Sequence, residues 1–167
     1  MKATAAKQKQ AELKEKYREQ PESAIAELSA TGTVDFDNLE FKISYPEFLT
    51  PSGLHPMSGG DGSGACAVEI MLAAWAGCAG VTFAAVARSM RLNIQSCEIA
   101  AVGQMDFKGT LAVEKTAPVG LTGLELVFDV RSDEADESIQ KLIELTKRYC
   151  VVHQTLEFPP KTRVNLK

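Results

Sequence analysis

Hydrophobic and polar residues recur with different periods in successive parts of the chain. Residues 3–20 are rich in Ala, Glu, Lys and Gln, which favour a helix. Pro21 interrupts this run at a position typical of the first residue of a new helical turn, PESAIAEL. Residues 34–45, VDFDNLEFKISY, place apolar side chains on both sides of the turn-like pair Asp37 and Asn38, which predicts a short hairpin.

The centre of the chain is a glycine-rich stretch followed by a long apolar one. Residues 50–64, TPSGLHPMSGGDGSG, are nearly all turn formers, so we expect a loop, and long loops are often functional. Residues 65–90 predict a helix. Between Glu69 and Arg88 it has 18 residues without a formal charge, about the minimum length for a membrane span. Because Ala and Gly dominate this stretch, it indicates a buried core helix instead.

Extended patterns dominate the next part of the chain and its end. Residues 94–107 predict a strand, and residues 108–115, KGTLAVEK, predict the return of a hairpin. In residues 123–130, GLELVFDV, alternate positions are apolar, which is typical of a half-buried strand. Residues 157–167 are expected to form an edge strand.

A further helix is predicted over residues 132–150. Acidic residues crowd its first turn and basic residues its last, both of which favour the helix dipole. Cys150 is its last residue. Its apolar stripe consists of Ile139, Leu142, Ile143 and Tyr149. The order of all elements predicts an α+β domain with an antiparallel sheet.

Length and charge narrow the class of protein. A chain of 167 residues fits one domain. On folding it can bury about 70% of the surface that the unfolded chain exposes, so it needs no disulfide or metal to be stable. The net charge of -4 argues against nucleic acid or an anionic membrane as the main partner. Because the N-terminus is charged and has no apolar core, we expect no secretory signal and a cytoplasmic location.

The candidate chemistry lies in the cysteines, of which there are four: Cys66, Cys78, Cys97 and Cys150. Cytosolic disulfides are usually transient, catalytic or sensing. No two cysteines form a C-x-x-C pair, so we expect no metal site. Small residues surround Cys78 and would allow another helix or subunit to approach closely. For Cys78 and Cys150 alike, the alternative is a small buried hydrophobe, which is a common role of free cysteine.

A reactive thiol needs a nearby group that stabilises its thiolate. Glu69 lies nine residues before Cys78 and Arg88 ten after it. Nine helical residues turn about 900° and rise about 13.5 Å, so neither side chain can reach Cys78 within one helix. The activating group must come from His55 and its loop, from His153, or from a partner chain. As alternatives, His55 only shapes the loop, Arg88 is a solvated helix end, and His153 is a hydrogen-bonded sheet residue.

At these residues the chain resembles a known family. HPMSGGDGSGACAVEIMLAAWAGCAGVTFAAVARSM is similar to the central segment of the OsmC/Ohr family, named after osmotically inducible protein C and organic hydroperoxide resistance protein. The family pattern has an acidic residue and a run such as LLAALAGC, here Glu69 and IMLAAWAGC ending at Cys78. RYCVVHQTL, with Cys150, resembles its second cysteine motif. The resemblance divides the chain into an N-terminal helical arm, residues 1–32, and an OsmC-like domain, residues 33–167.

The resemblance implies a fold, an assembly and a reaction. It implies an intertwined homodimer in which long central helices pack between curved antiparallel sheets, with active sites at the subunit interface. It also implies that an organic hydroperoxide oxidises Cys78 to a sulfenic acid and that Cys150 condenses with it to a disulfide. Glu69 takes the place of a catalytic carboxylate. No bound cofactor is implied, and an external dithiol, of lipoyl type, would reduce the disulfide.

Two departures from the family pattern concern spacing and turn chemistry. The better-characterised members place the Glu ten residues before the cysteine, where this chain has Val68, so Glu69 is either a catalytic carboxylate or a structural analogue. Val151 stands where a proline usually follows the second cysteine. The chain therefore resembles a divergent OsmC-like branch and not Ohr proper.

A third departure concerns the cation. Those members carry an Arg in the N-terminal strands that stabilises the thiolate, whereas residues 19–87 of this chain contain no Arg. Either His55, Lys42 or Arg88 substitutes for it, or the peroxidase activity is weak.

Three functions are consistent with these residues. The first is a peroxidase that acts on organic hydroperoxides. The second is a non-catalytic ligand-binding or stress-response protein on the same scaffold, which the missing Arg favours. The third is another thiol reaction, such as acyl transfer by Cys150 and His153.

Overall fold

The computed structural model describes residues 3–37, 40–45, 53–62 and 66–166. Within them the chain forms helices, strands and two short 3₁₀ turns. The helices are α1 (Ala3–Glu19), α2 (Ala67–Met90), α3 (Phe107–Thr110), α4 (Asp136–Tyr149) and α5 (Val151–Glu157). The strands are β1 (Ile25–Asp35), β2 (Glu40–Tyr45), β3 (Ile94–Asp106) and β4 (Leu121–Ser132). The 3₁₀ turns are Pro21–Ala24 and Pro56–Ser58.

The strands form one antiparallel sheet in the order β2-β1-β3-β4. The longest pairing joins β3 to β4 and extends from Ile94 opposite Ser132 to Met105 opposite Leu121. Along β3 every second side chain is buried, because alternate residues of a strand point to the same face. This buried face receives α2, as the predicted α+β architecture requires.

Helix α2 is the centre of the core. It packs against β1, β2 and β3 on one side and against α4 and α5 on another. Phe83 lies between two aromatic rings of the sheet, with ring centroids 6.3 Å from Phe36 and 5.7 Å from Phe128. Leu72 and Phe83 are fully buried. The prediction of a buried core helix is therefore confirmed.

By length and composition alone, α2 could also cross a membrane, and half of its most apolar window is buried inside the protein. One such helix is weak support for a span, since core helices have the same composition.

Helix α1 is anchored in the same core by Tyr17, which is 1% exposed. The Tyr17 hydroxyl donates to the carbonyl oxygen of Met57 over 2.8 Å. Lys9 Nζ and Gln10 Nε2 donate to the carbonyl oxygens of Gly60 and Ser58. The described part of the glycine-rich loop, residues 53–62, is thus tied to α1.

Strand β1 begins eight residues before the predicted start of the OsmC-like domain and pairs with β3 from Ile25 to Thr33. The boundary between the N-terminal helical arm, residues 1–32, and the OsmC-like domain, residues 33–167, stays a prediction.

The structure corrects four local predictions. The segment PESAIAEL is helical only over its 3₁₀ turn, and Ile25 already belongs to β1. Residues 108–115 form no hairpin strand, because α3 and a set of turns occupy residues 107–120. The predicted edge strand over residues 157–167 is wrong, because Glu157 ends α5, which covers residues 151–157, and residues 158–166 contain no strand. Tyr149 is exposed instead of lying in the apolar stripe of α4.

The corrected segment after β3 is held by a close backbone approach. A Cβ atom at Gly109 would lie 2.1 Å from the carbonyl oxygen of Pro118, so only glycine fits there. Asp106 Oδ1 accepts the amide N–H of Lys108 over 2.9 Å and caps α3. These contacts fold the segment onto itself. The predicted hairpin across residues 34–45 is confirmed, with Asp35 opposite Glu40, while its turn residue Asn38 lies outside the described residues.

Candidate active site

Two cysteines are held next to each other by the packing of α2 against α4 and α5. Cys78 lies in the middle of α2 and is partly exposed. Cys150 ends α4 and immediately precedes α5, and its side chain is 0% exposed. Its amide N–H donates to the carbonyl oxygen of Thr146 over 2.8 Å, and its carbonyl oxygen accepts from the amide of Gln154. The thiol of Cys150 is thereby fixed between two helices.

The Cys78 thiol acts electrostatically on the Cys150 thiol, which makes the two thiols neighbours, and both are free. Burial raises the pKa of Cys150 to about 11, and the neighbouring Cys78 thiol contributes to the increase. The backbone amides of His153 and Val152 partly oppose it by stabilising the thiolate. Cys150 therefore keeps its proton at neutral pH, whereas Cys78 is the thiol that solvent can reach.

An aromatic pair lies beside the cysteines. The indole of Trp75, three residues before Cys78, stacks on the imidazole of His153, three residues after Cys150. The ring centroids are 5.8 Å apart and the planes meet at 17°. The interpretation of His153 as a hydrogen-bonded sheet residue is wrong, because it lies on α5 and neither ring nitrogen has a hydrogen-bond partner.

Glu69 and His55 lie together at the start of α2. Glu69 Oε2 accepts the amide N–H of Cys66 over 3.0 Å, which caps the helix. His55 Nδ1 accepts the amide N–H of Met57 over 3.1 Å, and the His55 ring stacks on Phe107. Burial lowers the pKa of His55, and the negative charge of Glu69 acts in the opposite direction. His55 thus helps to shape the loop, which is the alternative to a role in thiolate activation.

The remaining predicted residues lie farther from the thiols. Helix α2 is continuous from Ala67 to Met90, so Glu69 is about 13.5 Å and Arg88 about 15 Å from Cys78 along its axis. Arg88 is exposed and lines a cavity of about 310 Å³ at the far end of α2. Lys42 belongs to β2, but its side chain lies outside the described residues. Catalytic roles for Glu69, His55 and Arg88 stay predictions.

An apolar groove of about 500 Å³ begins within one turn of the cysteine pair. It includes Thr82, whose hydroxyl donates to the carbonyl oxygen of Cys78, and Tyr149, which precedes Cys150. The groove lies between α2 and α4 and is lined by Val81, Thr82, Ala85, Val86, Ser89, Met90, Leu145 and Tyr149. An apolar molecule in this groove would have one end next to the thiols.

In the described part of the chain, no cluster of three or more His, Cys, Asp or Glu side chains could hold a metal ion.

A family model described as OsmC-like protein matches residues 60–165, which is more than half of the chain. The chain belongs to the OsmC-like family. The match includes α2 with Cys78 and extends to α5 beyond Cys150, and it does not include α1. The resemblance stated from the two cysteine motifs is confirmed.

Solved structures of OsmC-like proteins share this fold. One is a hydroperoxide resistance protein from Jannaschia sp. CCS1, with a TM-score of 0.62 and 19% sequence identity over 86% of this chain and 94% of that one. Another is an OsmC-like protein from Mycoplasma pneumoniae, with a TM-score of 0.51 and 17% identity over 81% of this chain and 86% of that one. No curated protein matches this OsmC-like chain. The predicted combination of an antiparallel sheet and a long central helix is confirmed.

Trp75 is a residue of this site that was not predicted from the sequence. It is the single Trp of the chain and stands inside the motif IMLAAWAGC, three residues before the cysteine. In a helix that spacing brings two side chains to adjacent positions on one face, which could have drawn attention to it.

Proposed function

We propose that this OsmC-like protein is a thiol-dependent peroxidase that reduces organic hydroperoxides. The observation that carries the proposal is the packing of α2 against α4 and α5, which places an accessible thiol, Cys78, beside a fully buried one, Cys150. Two-cysteine peroxidases need this inequality, because the first thiol must meet the peroxide and the second must meet only the oxidised first thiol.

The reaction proceeds in three balanced steps. Cys78 loses its proton, and its thiolate attacks the terminal peroxide oxygen. The O–O bond breaks, the terminal OH stays on Cys78 as a sulfenic acid, and the alkoxide takes up the proton that Cys78 released and leaves as the alcohol. Cys150 then attacks the Cys78 sulfur, which forms the disulfide and releases water. An external dithiol of lipoyl type reduces the disulfide by thiol exchange and is itself oxidised.

The groove between α2 and α4 supports an organic substrate over hydrogen peroxide. Its lining is mainly apolar, and Thr82 and Tyr149 mark the end beside the thiols. An apolar substituent of the peroxide gains free energy by leaving water for such a lining. The solved OsmC-like structure from Jannaschia that shares this fold is a hydroperoxide resistance protein, which supports the same substrate class.

We further propose a homodimer located in the cytoplasm. Helix α2 is apolar along most of its length, and even its exposed side carries apolar residues, among them Ala74, Val81 and Ala85. A second copy packed against this side would bury these residues. It would also bring a charged residue to the Cys78 thiolate, which no Arg in residues 19–87 can stabilise, because this segment contains none.

The test is peroxide consumption with an organic hydroperoxide and dihydrolipoamide as the reductant. Cys78→Ser should reduce turnover to the uncatalysed rate. Cys150→Ser should consume one equivalent of peroxide and then stop, with a sulfenic acid on Cys78 detected by mass spectrometry. Cys66→Ser serves as the matched control, because Cys66 lies about 18 Å from Cys78 along α2, and it should turn over like the parent. Equal turnover in Cys78→Ser and the parent protein would contradict the proposal.

A non-catalytic binding role on the same scaffold is the second candidate, and the lack of an Arg in residues 19–87 favours it. It predicts that an organic hydroperoxide binds in the groove but is not consumed, and that Cys78 alkylation follows pH as in a free thiol.

A further inference from the structure

Three nitrogen atoms next to the cysteine pair are buried and have no hydrogen-bond partner. They are Trp75 Nε1, His153 Nδ1 and His153 Nε2. Trp75 is 4% exposed and the His153 side chain 15%. Glu157 Oε2 approaches His153 Nε2 to 3.2 Å, but the geometry is not that of a hydrogen bond.

Packing alone does not explain a histidine at this position. A buried polar atom without a partner destabilises the folded state by about 1–3 kcal/mol. A phenylalanine at 153 could stack on Trp75 in the same way without this cost. His153 Nε2 lies beside Glu157 Oε2, but Nδ1 has no partner, so this nitrogen can act at a stage that the resting, reduced site does not show.

The position of His153 indicates which atom it acts on. Its own backbone amide interacts with the Cys150 thiol, so its imidazole begins only three bonds away from a group that already interacts with that sulfur. The stack on Trp75, one turn before Cys78, holds the ring of α5 against the helix that carries Cys78. A proton can pass from Cys150 to the imidazole directly or through one water.

The second step of the proposed reaction requires such a transfer. Cys150 is fully buried and protonated, and it becomes a nucleophile only as a thiolate. The described titratable groups around it are Cys78, His153 and, on the same face of α5, Glu157. Cys78 is the sulfur under attack, so it cannot also remove the proton. Glu157 lies beyond His153, where it can stabilise an imidazolium.

We infer that His153 removes the proton from Cys150 when the disulfide forms. This inference rests on the proposed peroxidase function. The S–H bond of Cys150 breaks as its proton passes to a ring nitrogen of His153. The Cys150 sulfur bonds to the Cys78 sulfur, and the S–O bond of the sulfenic acid breaks. The departing hydroxide takes the proton from His153 and leaves as water, so His153 is unchanged at the end.

The experiment compares two His153 variants after oxidation by one equivalent of cumene hydroperoxide. His153→Phe keeps the stack and removes the nitrogens, whereas His153→Ala removes both and leaves a space for added imidazole. The fluorescence of Trp75, the single Trp, follows the reaction, and a sulfenic-acid trap with mass spectrometry counts the intermediate. Thr155→Val, at an exposed position of α5, is the matched control.

We expect the sulfenic acid to persist about 100-fold longer in His153→Phe than in the parent, which is the usual contribution of one proton-transfer group. Thr155→Val should behave as the parent. Imidazole should shorten the delay in His153→Ala, and toluene, which fills space without a nitrogen, should not.

Two results would overturn the inference. One is disulfide formation in His153→Phe at the parent rate, and the other is equal rescue of His153→Ala by toluene and imidazole. A parent protein that forms no sulfenic acid on Cys78 would instead refute the peroxidase function itself, and this inference with it.

Discussion

At the scale of single residues, the cysteines differ most in their exposure to water. Cys66 and Cys78 are partly exposed, whereas Cys97 is 3% and Cys150 0% exposed. Burial raises the pKa of Cys97 to about 12, and the nearby charges of Asp129 and Glu98 act in the same direction. Cys97 is thus a packing residue of β3 and behaves as a small buried hydrophobe, a role that the sequence alone did not assign to it.

A pH-dependent loss of stability follows from this burial. The folded protein keeps the Cys97 proton up to pH of about 12, whereas the unfolded chain releases it near pH 9. The contribution of Cys97 is therefore complete below pH of about 9 and is lost as the pH rises toward 12. Denaturant titrations should show the free energy of unfolding falling by about 2 kcal/mol more in the parent than in Cys97→Ala between pH of about 9 and 10.5.

The matching variant is Cys150→Ala. Its pH-dependent difference in stability from the parent should reach its limit near pH 11 instead of 12, since the pKa of Cys150 is about 11. Parallel pH curves for the parent and Cys97→Ala would mean that water reaches the Cys97 thiol in the folded protein.

At the scale of elements, the start of α2 gives Glu69 a structural role. Its carboxylate caps the amide of Cys66 and lies near the helix N-terminus, where negative charge is favourable. The same residue was predicted as a catalytic carboxylate or as its structural analogue. Its distance of about 13.5 Å from Cys78 along α2 favours the structural analogue.

Glu69→Gln separates the two roles. This substitution keeps an oxygen that accepts a hydrogen bond but removes the negative charge, so we expect the free energy of unfolding to fall by about 0.5–1 kcal/mol. The rate of Cys78 oxidation, measured by stopped-flow fluorescence of Trp75, should change less than about threefold. Glu69→Ala, which also removes the acceptor, should destabilise further by about 1 kcal/mol with the same small effect on the rate. A loss of the oxidation rate without a loss of stability would identify Glu69 as catalytic.

The end of α4 shows how one residue can change the element that follows. Cys150 has an extended conformation between α4 and α5, and the helix resumes at Val151. A proline, the usual family residue after this cysteine, is favoured at the first position of a helix. Val151 therefore occupies the same structural position without the fixed backbone angle. The resumed helix is what brings His153 to Trp75.

At the scale of the whole molecule, the exposed side of α2 is the surface that the proposed homodimer would cover. Val81 is 41% exposed at the open edge of the groove beside the thiols. Val81→Glu should convert a dimer to a monomer in light scattering, because a carboxylate there would have to be buried without a partner. If the activating charge comes from the partner, oxidation of Cys78 should slow in the same variant.

Val81→Ile is the control, since it keeps the surface both apolar and uncharged. A parent protein that is monomeric at all concentrations would contradict the homodimer and leave the activation of Cys78 to this chain alone.

The sequence by itself determined the elements with a strong period. Helix α2 follows from its long uncharged stretch and strand β4 from the alternation of apolar residues. Helix α4 follows from the charges in its first and last turns. All three are local properties of the sequence. The motifs around Cys78 and Cys150 also identified the family, because they are read residue by residue.

Only the tertiary structure decided the rest, because it depends on partners distant in sequence. β1 is a strand because β3 pairs with it, although its first residues favour a helix. Residues 107–120 turn back because Gly109 meets the backbone of Pro118. The contact between two thiols 72 residues apart and the stack of His153 on Trp75 come from the packing of α2 against α4 and α5, which no local pattern encodes.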